Sequence, residues 1–137
     1  MEISEVIAEL RKLNEPVPTP LRLPTEAEVK SAETQLEKTF PDDYREYLLT
    51  GSDVVHGALE PAVVLPDAGY LNLVEMAESA WDEMELPREL LPICEDNGDY
   101  YCLNEKGQVQ FWSHNGETDE KWPDLASWIQ EVWIDEG

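Results

Sequence analysis

Basic side chains are what this chain lacks most: nine lysines and arginines stand against 31 aspartates and glutamates, a formal charge of −22 over 137 residues. So few cations cannot neutralise a run of phosphates, which argues against nucleic acid and anionic membranes as partners. Histidine is scarcer still. His56 and His114 are isolated, and neither has further ligands at the spacing a metal site needs. There is no phosphate-binding glycine loop, no GxSxG and no HExxH. Among 31 acids no particular carboxylate pair can be singled out for acid–base work. The expectation is therefore no enzyme, no metal and no cofactor. The two cysteines, Cys94 and Cys102, are too few for a disulfide framework and suit core packing as small hydrophobes. They fall near-opposite one another if the intervening turn centres on Asn97–Asp99. No apolar run is long enough to span a bilayer. The opening "MEISEVIAEL" carries acids where a secretory leader carries bases, so a cytoplasmic protein is expected.

Apolar residues, in contrast, make up 42% and include five Trp and five Tyr, so the chain can build a core despite its charge. The length suits one domain over residues 1–137, with an N-terminal helix and proline-rich connector in 1–24 and the core in 25–137. The charge is uneven: residues 1–45 hold ten acids and six bases, residues 46–137 hold 21 acids and three bases. That field attracts cationic partners, although a merely soluble acidic protein has the same composition.

Ile3, Val6, Ile7, Leu10 and Leu13 recur at helical spacing. Pro16, Pro18, Pro20 and Pro24 then forbid regular structure, and no two of them have the separation that PxxP recognition needs. Thr25 with Glu28 forms a capping box that opens a helix carrying Val29, Ala32 and Leu36 inward. "FPDDYREYLLTG" opens another, with acids in its first turn and Gly51 at its end. "PAVVL" (61–65) and "YLNL" (70–73) read as strands around "PDAG", and Asn72 with Glu75 as the cap of a helix through Met84. Strands follow near 91–94, 99–104 and 108–113, with "EDNG" and "NEKG" as turns. A final helix puts Leu125, Trp128, Ile129, Val132 and Trp133 on one face. The order predicts an α+β fold: N-terminal helices on a largely antiparallel sheet, with a mid-chain helix and a C-terminal helix.

In combination, "FPDDYREYLLTG", "ICEDNGDYYCLNEKGQVQFWSHN" and "LASWIQEV" resemble the SUKH superfamily, the bacterial immunity proteins grouped with the Smi/Knr-like regulators of cell-wall synthesis. Pro41, Asp42, Asp43, Tyr44, Tyr47 and Leu48 match its first motif. Ile93, Gly98, Asp99, Tyr101, Leu103, Gly107, Val109 and Trp112 match the second, and Leu125, Trp128 and Ile129 the third. "GSDVV" (51–55) departs from the family's "NGG". The resemblance implies binding, in the manner of antidotes that sit on toxin domains of polymorphic or contact-dependent systems, many of them nucleases. The alternative it carries is a regulatory scaffold for endogenous signalling or cell-wall-synthesis proteins.

The expected partner is thus a protein, a basic toxin domain, with the oligomeric state left open. Ten acids are the candidates to meet it. Glu75, Glu78, Asp82 and Glu85 form a helical stripe without interleaved lysines, which is equally the pattern of a solvated helix face. Glu95, Asp96 and Asp99 sit at one turn, and Glu117, Asp119 and Glu120 follow the third strand. Tyr100 and Trp112 are the candidate aromatic anchors.

Overall fold

The computed structural model describes residues 2–135, with Gly116 and Glu117 described by their backbone alone. Helix α1 (Ile3–Lys12) buries Ile3, Val6, Ile7 and Leu10. Leu13, expected on the same stripe, lies past the helix end and is 39% exposed. The proline-rich segment joins α1 to the next helix without regular structure. Its start is pinned where the Glu15 amide donates to the Val55 carbonyl at 2.8 Å and the Val55 amide to Asn14 Oδ1 at 2.8 Å.

Helix α2 (Glu26–Leu36) opens on the predicted box. The Glu28 amide donates to Thr25 Oγ1 at 3.1 Å, and the Thr25 amide to Glu28 Oε1 at 2.9 Å. Helix α3 (Asp42–Thr50) follows Pro41 and buries Tyr44, Tyr47 and Leu48. Gly51 ends it for a reason of space: a Cβ there would stand 3.2 Å from Ile7 Cγ2, so the glycine lets α1 pack close.

The two short strands expected at 61–65 and 70–73 are absent from the described structure. The Pro61–Leu65 run is buried throughout, but makes only two isolated bridges, Pro61 to Cys94 and Val63 to Asn72. A fully buried apolar run reads like a central strand whether or not a ladder flanks it. Gly69, at φ 63°, turns residues 69–71 into a single 3₁₀ turn, from which helix α4 (Leu73–Glu83) leaves directly. Asn72 makes no side-chain cap; its neighbours form the bridge, the Val63 amide donating to the Leu71 carbonyl at 2.9 Å and the Leu73 amide to the Val63 carbonyl at 2.8 Å.

Strands β1 (Leu91–Asp96), β2 (Asp99–Leu103), β3 (Val109–Ser113) and β4 (Gly116–Trp122) form an antiparallel meander in sequential order. Asn97 at φ 54° and Gly98 at φ 90° make the tight turn between the first two, with both central residues in the left-handed region that Asn-Gly tolerates. A bulge between Pro92 and Cys94 shifts the register, so Cys94 opposes Tyr101 and Cys102 opposes Pro92. The two cysteines are therefore not cross-strand partners. They are free and buried. β4 went unforeseen because "GETDEKW" has the composition of a loop; pairing with β3 makes it a strand.

Helix α5 (Leu125–Trp128) is capped by Asp124, whose Oδ1 accepts from the Ser127 amide at 2.8 Å. It widens into a π-helical turn over Ile129–Ile134. Trp128, Ile129, Val132 and Trp133 are all buried there, as the apolar face required. An aromatic chain joins helices to sheet. Tyr47 meets Trp133 with ring centroids 6.1 Å apart, Trp133 meets Trp128 at 6.5 Å, and Trp128 meets Tyr101 at 5.3 Å. The result is an α+β architecture with its core between the helices and the meander.

Candidate functional site: an acidic cleft

The two isolated bridges build the site. Pro61 against Cys94 carries Glu60 to the end of β1, where Glu95 and Asp96 enter the turn. Val63 against Asn72 brings the Tyr70–Leu71 turn and the first turns of α4 to the same place. Between them lies a cleft of about 490 Å³, walled by Glu60, Tyr70, Leu71, Glu75, Met76, Ser79, Glu95, Asp96, Asn97 and Tyr100, with Ala58 and Leu59 at one end.

Four carboxylates line it, and no lysine, arginine or histidine does so among the described residues. The ion pairs that form lie elsewhere: Arg11 with Asp53, Lys12 with Glu9, Arg22 with Glu28, Arg45 with Glu33 and Asp42, and Arg88 with Asp82. Lys38 and Arg88 also cover the Trp81 ring, at 5.5 and 5.2 Å from its centroid. The cleft acids instead accept from short-range donors. Glu95 Oε2 takes the Gly98 amide at 2.7 Å, and Asp96 Oδ1 takes Asn97 Nδ2 at 3.3 Å.

Tyr70 stands at the mouth, 74% exposed. Its hydroxyl donates to Glu60 Oε2 at 3.0 Å. That bond, together with the charges of Glu60 and Glu95, pushes its ionisation above the usual tyrosine range. Among the described residues, no three His, Cys, Asp or Glu side chains stand close enough to hold a metal ion. What the arrangement offers chemically is a concave negative surface with an apolar base and an aromatic at its edge.

The ten candidate acids are sorted by the fold. Glu75, Glu95 and Asp96 come together in the cleft. Glu78 is exposed on α4 outside it. Asp82 is paired with Arg88 at 3.2 Å. Glu85 leaves the stripe altogether, because α4 ends at Glu83 and Glu85 adopts φ 61°. Asp99 is held by His114, and Asp119 and Glu120 are exposed on β4. Glu117 lies on β4 opposite Trp112, and its side chain is outside the described set. Tyr100 and Trp112 are 8% and 6% exposed, packed side by side across β2 and β3, so they are core residues and not exposed anchors. Sequence reasoning missed Glu60 and Tyr70. The signal available was a tyrosine directly after the turn glycine of "PDAGY", a place where a large ring is hard to bury.

No helix among the described residues is long and apolar enough to cross a membrane. No curated protein matches the chain. A crystal structure of a protein from Pseudomonas syringae pv. tomato is 45% identical and superposes with a TM-score of 0.90, over 96% of this chain and 98% of that one. The family model SUKH_5, described as SMI1-KNR4 cell-wall, matches residues 3–134. With the α+β fold in agreement over the same span, the chain belongs to the SUKH (SMI1-KNR4) family.

Proposed function

We propose that this protein is a binding module of the immunity type, which acts in the cytosol by capping a basic toxin domain rather than by turning over a substrate. The observation that carries this reading is a cleft with four carboxylates and no base among its described lining residues. It lies in the part of the chain with 21 acids and three bases. Such a surface steers a cationic domain towards it and competes for the groove in which that domain holds phosphates. A nuclease is the class of toxin that best fits this complementarity.

The test begins with the neighbouring coding sequence. A secreted protein ending in a small basic domain supplies the partner, and cells expressing that domain should survive only when this chain is co-expressed. Death in both cases ends the toxin assignment. With the partner in hand, the triple variant Glu75→Lys, Glu95→Lys, Asp96→Lys should slow association about tenfold at low salt. An unchanged on-rate removes the cleft from the interface. Recovery of signalling or cell-wall-synthesis proteins, with no toxin beside the gene, favours the regulatory scaffold instead.

A further inference from the structure

We propose that the cleft is the seat of one arginine side chain projecting from the partner protein. This deepens the binding reading above and rests on it. Two independent features point to that occupant. The first is apolar: Leu71, Met76 and Tyr100 contribute carbon surface to the cleft, which can take the aliphatic stem of a long side chain. At the mouth Tyr70 is one of only two large apolar residues left exposed among the described residues, the other being Leu13. An aromatic standing in solvent beside a concave apolar surface is the usual form of a binding hot spot.

The second feature is the arrangement of charge. Glu60, Glu75 and Glu95 reach the cleft from three separate segments: the chain before Pro61, helix α4 and strand β1. Carboxylates spread around one cleft, too far apart to share a metal ion, match an extended planar group with five donors better than a point ammonium. The guanidinium face can also lie against the Tyr70 ring, which the hydrogen bond to Glu60 holds at the rim. A volume of about 490 Å³ has room for one such side chain and its flanking peptide.

The decisive experiment titrates the full chain with N-acetyl-arginine amide and follows backbone amide shifts. N-acetyl-lysine amide and N-acetyl-norleucine amide serve as the ammonium and uncharged comparisons. Arginine amide should give saturable shifts at Tyr70, Met76, Glu95 and Tyr100, lysine amide weaker ones and norleucine amide none. Tyr70→Ala should weaken arginine binding roughly fivefold. Glu75→Gln with Glu95→Gln should weaken it about tenfold. Thermal midpoints should hold, since all three side chains are exposed. Shifts scattered over acids such as Asp119 and Glu120, an affinity unchanged in Tyr70→Ala, or no saturation at millimolar ligand would each overturn the proposal. Once a toxin is shown to bind, an unaltered dissociation rate for Tyr70→Ala with Glu75→Gln defeats the arginine seat while leaving the antidote reading intact. Failure of the unsubstituted chain to protect cells defeats the antidote reading alone.

Discussion

His114 donates both its backbone amide and its ring Nδ1–H to a single oxygen of Asp99, at 3.0 and 2.8 Å. The contact ties the start of β2 to the end of β3, and so steadies the turn that presents Glu95 and Asp96 to the cleft. Because a carboxylate can only accept, the ring bond places a proton on Nδ1.

The amide bond from His114, and then the ring bond, hold the Asp99 carboxyl below the usual aspartate range. A group depressed in the folded state stabilises above its unfolded range, and that contribution is lost as pH falls through the folded value. Asp99→Asn should therefore cost about 1 kcal/mol at neutral pH, with the pair partly screened by solvent. Urea unfolding of the two proteins should converge as the pH drops below the ordinary aspartate value of 3.8.

Glu33 is a charge kept inside. Its side chain is 7% exposed, and Oε2 accepts from the Phe40 amide at 2.7 Å and from Arg45 at 2.7 Å. Removing the cation leaves a buried carboxylate with one donor. Arg45→Ala should lower unfolding free energy by about 2 kcal/mol, discounted from a fully buried pair because the arginine side chain is 36% exposed. Glu33→Gln should cost less than Arg45→Ala, since it removes the charge while leaving an oxygen for the Phe40 amide. Equal losses in urea titrations would show that the stranded charge is not the cause.

At the head of α2, Arg22 grips both oxygens of Glu28 at 2.8 Å, and the Thr25 amide adds a third bond. Those contacts, the arginine first, draw the carboxyl down from 4.5 to about 2. Its contribution is present above pH 4.5 and fades between there and about 2. Glu28→Gln can keep the capping geometry while losing the ion pair. The thermal midpoint of this variant should lie below that of the unsubstituted chain at neutral pH and meet it near pH 2.

Burial pushes the Cys94 thiol up to about 12, and raises Cys102 as well. Both groups stay protonated, and so unreactive, far into the alkaline range. Iodoacetamide at pH 8 should label neither cysteine in the folded protein, and labelling should rise with denaturant along the global unfolding curve. Modification under native conditions would require a local opening of β1 and β2.

What the sequence disclosed depends on how local the cause is. The Thr25 box, the α3 face of Tyr44, Tyr47 and Leu48, and the Asn97–Gly98 turn are set by neighbours within a few positions, and each stands where it was expected. β4 was illegible because "GETDEKW" has no strand pattern of its own and is recruited by β3. The one-residue bulge beside Cys94 was illegible for the same reason: register is decided between strands. The cleft had parts in view, since Glu75, Glu95 and Asp96 were among the acids singled out. Its assembly depended on two isolated bridges, Pro61 to Cys94 across 33 positions and Val63 to Asn72 across nine, and neither belongs to a regular ladder that a strand pattern would announce.

β4 is the edge strand on one side of the sheet, with β3 as its neighbour in the meander. On β1, at the other side, the Ile93 carbonyl is met by the Ala62 amide at 2.8 Å. An open border of this kind invites a second copy to add its own strand, and from there a growing stack. Asp119, Glu120 and Lys121 are exposed along that border, and in so acidic a chain two such borders repel before they can align. Part of the negative charge thus sits where it opposes edge-to-edge pairing of two copies.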